Sequence, residues 1–127
     1  MARPAARDLT ERELEVMHVF WTGGAQTAQE ARDRLAAVGT VRAYTTIATL
    51  VRILFEKKFL ETTNDERPFR YRPARSYEEV SGSLLGDVLD RVFHGSRAQL
   101  LVRLLEDRRL STHERASLEE ILNGGER

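Results

Sequence analysis

Three threonines and one arginine follow one another at helical spacing near the middle of the chain, at Thr45, Thr46, Thr49 and Arg52. A threonine hydroxyl can hydrogen-bond a base edge or a phosphate, and its methyl group can contact thymine. An arginine can donate two hydrogen bonds to guanine or pair with a phosphate. These side chains form a narrow, non-acidic surface, which indicates recognition of a nucleic-acid groove.

A second group of hydrogen-bond donors lies further along the chain, where Arg67, Arg70 and Arg72 surround Tyr71. If this segment is a strand, alternation places Arg70 and Arg72 on one face and Tyr71 on the other. The arginines could then contact phosphates while the tyrosine packs inward.

Catalytic and metal-binding patterns are absent from the sequence. The three histidines, His18, His94 and His113, are scattered, and the chain contains no cysteine. There is no His-Glu-x-x-His motif, nucleophile elbow or glycine-rich phosphate loop. We therefore expect no enzymatic activity, no cofactor and no metal site, with His94 and His113 as exposed residues at helix ends.

The charge is unevenly distributed along a chain of 127 residues with no net charge. Residues 1–75 hold 13 basic and 10 acidic residues, a net charge of +3, whereas residues 76–127 hold 7 and 10, a net charge of −3. This split favours an anionic partner for the first part alone.

No apolar stretch approaches the roughly 20 residues of a membrane span, and no signal peptide is evident at the N-terminus. We therefore expect a cytoplasmic protein without membrane insertion.

Four capping boxes mark the starts of predicted helices, each with Ser or Thr followed three residues later by Glu. They are Thr10 with Glu13, Thr27 with Glu30, Ser76 with Glu79, and Ser111 with Glu114. The spacing of apolar residues predicts helices over residues 11–21 and 28–37, the latter burying Ala31, Leu35 and Val38. The third predicted helix, over residues 44–58, has an apolar stripe formed by Ile47, Leu50, Val51, Leu54 and Phe55.

A hairpin follows, with predicted strands over residues 59–63 and 69–72 and a polar turn over residues 64–68. Three short helices and a hairpin are the order of elements in a winged helix, whose third helix enters the DNA major groove. The predicted fold is therefore mostly α with a small β-hairpin. A winged helix-turn-helix domain over residues 1–75 precedes a helical dimerisation domain over residues 76–127.

The helices of the second part present more apolar positions than about fifty residues can bury alone. A second copy of the chain is the simplest partner, because a two-fold dimer also places two recognition helices at matching half-sites. The predicted dimerisation residues are Leu84, Val88, Val92, Leu100, Leu101, Leu104, Leu118 and Leu122.

Residues 9–17 with Trp21, residues 43–52 and residues 69–73 together resemble the penicillinase repressor family of BlaI/MecI type. The resemblance implies a homodimeric bacterial repressor that binds a palindromic operator in front of antibiotic-resistance genes. It also implies release through proteolysis set off by a membrane-bound sensor metalloprotease. The DNA-binding residues that we assign with its help are Arg42, Tyr44, Thr45, Thr46, Thr49, Arg52, Arg70 and Tyr71.

Three positions depart from the family pattern. Ile53 replaces a basic residue after Arg52, and Lys58 replaces the glycine that often ends the third helix. In the possible cleavage region, Arg103 and Leu104 stand where staphylococcal members have an Asn-Phe bond. The family's base preference and protease specificity are therefore not assigned to this chain.

Two other functions fit the same elements. A winged helix can serve as a protein-interaction module, in which case the acidic second half would dock a partner. A repressor can also be gated by a small ligand between the wing and the dimer helices, although no sequence pattern marks such a pocket. DNA binding differs from protein docking because counterion release makes it strongly salt-dependent.

Overall fold

The computed structural model describes residues 6–125, so the outermost ends of the two predicted domains, residues 1–5 and 126–127, lie outside the described residues. A short turn at Ala6–Asp8 precedes the first helix. The first group of elements is α1 (Glu11–Gly23), β1 (Gln26–Thr27), α2 (Ala28–Ala37), α3 (Tyr44–Glu56), β2 (Leu60–Thr62) and β3 (Arg70–Pro73). The remaining elements are α4 (Tyr77–Val92), α5 (Arg97–Leu105), α6 (Thr112–Glu120) and a final turn over Ile121–Gly125.

Capping boxes start α1, α2 and α6, as the sequence predicts. At α1, the Thr10 side chain accepts the Glu13 N–H at 3.1 Å, and the Glu13 carboxylate accepts the Thr10 N–H at 2.8 Å. At α4, Ser76 accepts the Glu79 N–H at 3.0 Å, and the Glu79 carboxylate also pairs with Arg75 at 2.9 Å. The predicted signal at Ser76 and Glu79 therefore combines a cap with an ion pair.

The core forms between α1, α2 and α3 and extends to the strands. Its buried apolar side chains include Val16, Met17, Phe20, Ala31, Leu35, Ile47, Val51, Leu54, Phe59, Leu60 and Val80. The predicted burial of Val38 was wrong, since this residue is the C-cap of α2 and is 77% exposed. Phe55, at the margin of the α3 apolar stripe, is 43% exposed.

The sheet has three antiparallel strands in the order β1, β3, β2. Strand β1 was not predicted, because it has only two residues and the second, Thr27, is the N-cap of α2, so no alternation is visible in the sequence. Gln26 lies opposite Tyr71 and Thr27 opposite Arg70, while Glu61 lies opposite Arg72. The central strand β3 is thus fixed on both sides. We call β2, β3 and the segment between them the wing.

The backbone that leaves the wing is held by α1. The Trp21 Nε1–H donates to the Arg75 carbonyl at 2.9 Å. The Arg75 side chain is buried, and its guanidinium lies 4.7 Å from the centre of the Phe59 ring. These contacts orient the start of α4.

Contacts between residues divide the chain into two units, the first ending at Leu84 and the second beginning at Leu85. The first turns of α4 therefore belong to the first unit, where Val80 is buried and Leu84 packs against the core. In the second unit, neither α5 nor α6 has a buried residue.

Helix α3 ends at Glu56, before the predicted residue 58, in a turn that favours glycine. The Phe59 N–H donates to the Leu54 carbonyl at 2.9 Å and the Lys58 N–H to the Phe55 carbonyl at 3.0 Å. This is the Schellman pattern, and Lys58 occupies its left-handed position with φ 70°. An L side chain at that φ costs roughly 1 kcal/mol relative to glycine.

We expect Lys58→Gly to raise the free energy of unfolding by about 0.5–1 kcal/mol, because it removes this strain. Urea denaturation measures the change. Lys58→Ala is the matched control, since alanine keeps the Cβ and removes only the charge, and it should leave stability near the wild-type value. A loss of stability in Lys58→Gly would contradict the assignment of strain to this turn.

Candidate nucleic-acid interface

Helix α3 presents a polar surface because its apolar side packs inward. Ile47, Val51 and Leu54 are each no more than 1% exposed and anchor the helix. On the other side, Thr45, Thr49 and Arg52 are exposed, and Thr46 is half-buried. The structure therefore brings together the residues whose spacing indicated groove recognition.

The charge of Arg52 is partly compensated within the helix. Its Nη1 lies 3.1 Å from the Glu56 carboxylate, and both side chains are 59% exposed. Exposed pairs of this kind contribute at most about 1 kcal/mol. A phosphate or base can therefore displace Glu56 at small cost.

Arg42 is held more firmly. Its Nη2 donates to both oxygens of Glu15 on α1 at 3.1 Å. Its Nε is buried and has no hydrogen-bond partner among the described residues. The guanidinium therefore links α1 to the segment before α3, and the predicted DNA contact at Arg42 competes with that link.

An open groove of about 990 Å³ separates α3 from the wing. Aromatic rings of Tyr44, Phe55, Phe69 and Tyr71 line it. The polar lining residues include Thr27, Gln29, Glu30, Arg52, Glu56, Arg67 and Arg70. We call this space the α3–wing groove.

Tyr71 fixes the wing against the helices. It packs against the core, and its ring centre lies 5.9 Å from that of Phe55 in an edge-to-face arrangement. Burial raises the pKa of the Tyr71 hydroxyl. The predicted inward orientation of this residue, opposite to the wing arginines, agrees with this packing.

Arg70 ties the wing to α2. Its guanidinium lies 3.2 Å from the Glu30 carboxylate and donates to the Ala25 carbonyl at 3.1 Å. The pKa of Glu30 is lowered, first by the N–H of Thr27 that it accepts and then by Arg70. A carboxyl group whose pKa is lowered in the folded protein stabilises the fold at pH values above its unfolded pKa. This stabilisation is lost as the pH falls through the lowered pKa.

Arg72 is neutralised across the hairpin, since its Nε lies 2.7 Å from the Glu61 carboxylate. Arg67 differs from both other wing arginines. Its guanidinium lies 5.3 Å from the centre of the Phe69 ring, and no carboxylate pairs with it within the part of the chain that the structure describes. Spacing alone could not reveal which wing arginine lacks an acidic partner, and Arg67 was therefore not among the predicted DNA-binding residues.

Four of the eight predicted dimerisation residues are exposed. Val92 is 64% exposed, Leu122 52%, Val88 42% and Leu104 39%. Leu84, Leu100, Leu101 and Leu118 are half-buried. The bond between Arg103 and Leu104 lies inside α5, and Arg103 also reaches Glu106 at 3.6 Å.

Residues 6–125 contain no group of three or more His, Asp or Glu side chains placed to hold a metal ion. Within the same residues, no helix is long and apolar enough to cross a membrane.

The family model of penicillinase repressors matches residues 9–124. The chain belongs to this family. The transcriptional regulator BlaI of Mycobacterium tuberculosis is 31% identical over 100 residues, which cover 77% of this chain and 72% of that protein. The methicillin resistance regulatory protein MecI of Mammaliicoccus sciuri is 24% identical over 118 residues, which cover 91% of this chain and 94% of that protein.

The fold has a solved counterpart in a structure of hsRosR-SG. The two chains superpose with a TM-score of 0.54 at 17% identity, covering 97% of this chain and 96% of the other. Together, the family and its relatives identify a DNA-binding transcriptional repressor of BlaI/MecI type. The predicted family and winged-helix fold are confirmed.

We expect Arg42→Ala and Glu15→Ala each to lower the free energy of unfolding by up to about 1 kcal/mol, because each breaks the same half-exposed ion pair. The double variant should lose little more than either single variant, which thermal and urea denaturation would measure. Arg32→Ala serves as the control, because within residues 6–125 it removes an ion pair with the adjacent Asp33 and leaves the pair of Arg42 with Glu15 intact. Unchanged stability in Arg42→Ala together with weaker DNA binding would show that Arg42 acts as a DNA contact instead.

Proposed function

We propose that this chain is a cytoplasmic homodimeric repressor that inserts α3 into the major groove of a palindromic operator. The observation that carries the proposal is the exposed surface of Thr45, Thr49 and Arg52 on a helix whose opposite side is buried. Threonine and arginine at these positions can read base edges by hydrogen bonds and methyl contacts.

The α3–wing groove supports the same arrangement. With α3 in the major groove, the adjacent sugar-phosphate strand passes between α3 and the wing. Arg67 is the wing cation without an acidic partner among the described residues, and we assign it a phosphate contact. Arg70 reaches a phosphate only by exchanging its bond to Glu30.

The second unit supplies the proposed dimer contacts. On α4, Leu85, Val88 and Val92 lie at helical spacing and are 54%, 42% and 64% exposed. Apolar surface on α5 and α6 is uncovered in the single chain, since neither helix has a buried residue. A second copy would bury these side chains and place two winged helices on symmetric half-sites.

Release of the operator would follow loss of the dimer. A cut between Arg103 and Leu104 would interrupt α5. Because both residues are exposed, local unfolding of α5 would allow this peptide bond to enter the active site of a protease. A membrane-bound sensor metalloprotease is the partner that the family resemblance suggests. The side chains at this bond require such a protease to have a specificity different from the staphylococcal one.

We expect Thr49→Ala to reduce the ratio of specific to non-specific affinity by roughly tenfold, because a lost base contact costs about 1–3 kcal/mol. The measurement is a competition mobility shift on DNA from upstream of the protein's own gene, with an unrelated fragment as competitor.

Thr112→Ala is the matched control for this substitution, because Thr112 is exposed at the start of α6. It should leave the affinity ratio unchanged. Equal ratios for wild type and Thr49→Ala would remove Thr49 from the recognition surface.

We expect Val92→Asp to shift the protein from dimer to monomer and to weaken operator binding, because it places a charge in the proposed apolar contact. Sedimentation equilibrium gives the mass. Ser83→Asp is the control, since Ser83 is exposed on the opposite side of α4 from Leu85 and Val88. A dimeric mass for Val92→Asp would contradict the proposed dimer surface.

A further inference from the structure

The α3–wing groove has a wall of connected aromatic rings. The Tyr71 ring centre lies 5.9 Å from that of Phe55 and 6.5 Å from that of Phe69, both at steep angles. Tyr44 also lines the groove, and it is 45% exposed, while Phe55 is 43% exposed. Large aromatic surfaces left open inside a concavity are typical of a site for a flat apolar ligand.

The bottom of the groove is open because the residues that line it have small side chains. Ala48 lies one helical turn after Tyr44 and one turn before Arg52, and Ala28 lines the opposite side. A longer side chain at Ala48 would occupy the space between the rings. The open volume of about 990 Å³ accommodates a small aromatic molecule.

The charge of the groove selects the sign of a ligand. Arg52 and Arg70 are compensated by Glu56 and Glu30, respectively. Arg67 lies on the Phe69 ring without a carboxylate partner among the described residues, and it lines the groove. Its guanidinium can donate two parallel hydrogen bonds to a carboxylate.

We propose that the α3–wing groove binds a planar aromatic carboxylate, with its ring between Tyr44, Phe55 and Phe69 and its carboxylate on Arg67. This inference rests on the proposed function only for its regulatory consequence. The ligand occupies the space assigned to a DNA strand, so its binding excludes the operator and releases repression. The site lies beside the recognition helix and differs from a pocket between the wing and the dimer helices, which is the other possible place for a ligand in a gated repressor.

The test uses 2-naphthoate as the probe and isothermal titration calorimetry on the full chain without DNA. Two matched probes separate the contribution of the carboxylate charge from that of the aromatic ring. Naphthalene-2-carboxamide lacks the charge, and cyclohexanecarboxylate lacks the flat ring. We expect 2-naphthoate to bind roughly tenfold or more tightly than either, because a hydrogen-bonded charge and aromatic stacking each contribute on that scale.

Three variants locate the site. Arg67→Gln should weaken 2-naphthoate binding by roughly tenfold, since it removes the paired charge. Ala48→Leu should abolish binding by filling the bottom of the groove. Arg72→Gln should have no effect, because Arg72 belongs to the same wing, pairs with Glu61 and does not line the groove. Thermal denaturation confirms that each variant is folded.

Absence of 2-naphthoate binding, equal binding of the carboxamide, or equal losses in Arg67→Gln and Arg72→Gln would each overturn the proposed site. A mobility shift with and without 2-naphthoate then tests the regulatory consequence, where release of bound DNA is expected. DNA binding without 2-naphthoate binding would overturn this inference and leave the proposed function intact. Binding of 2-naphthoate without DNA binding would overturn the proposed function and leave the ligand site intact.

Discussion

The burial of Ile47, Val51 and Leu54 against α1 and α2 is the constraint on which the interface depends. These side chains are fully or almost fully removed from solvent, and they occur at the spacing of one helix side. With that side fixed, the rotation of α3 about its axis is fixed as well. Thr45, Thr49 and Arg52 must then face solvent, and no separate interaction is needed to orient them.

The arginines around this helix are balanced by glutamates rather than left free. Glu15 holds Arg42, Glu30 holds Arg70, Glu56 holds Arg52 and Glu61 holds Arg72. These ion pairs hold the arginine side chains in place in the free protein and offset their positive charge. When an anion binds, it replaces the glutamate as the partner of an arginine, and this exchange costs little where the pair is exposed. Arg67 stands apart because its partner in the described chain is an aromatic ring.

The sequence predicted the helices, the hairpin and the polar side of α3 because these follow from local signals. Capping residues and apolar spacing act within a few positions, so Thr10, Thr27 and the α3 stripe were sufficient to locate them. Strand β1 depends on pairing with β3 far along the chain, and two residues carry too little pattern to reveal it. The partners of the arginines were likewise beyond prediction, since Arg42 meets Glu15 and Arg70 meets Glu30 only after the helices have packed.

The most direct test of the proposed DNA interface is a salt titration of the wild-type protein on DNA from upstream of its own gene. Fluorescence anisotropy measures the affinity, and an unrelated duplex of the same length provides the reference. We expect affinity to fall steeply as salt rises, because phosphate contacts release counterions, with the upstream DNA bound more tightly at each concentration. Equal affinity for both duplexes, or an affinity that salt does not change, would contradict sequence-specific binding through α3 and the wing.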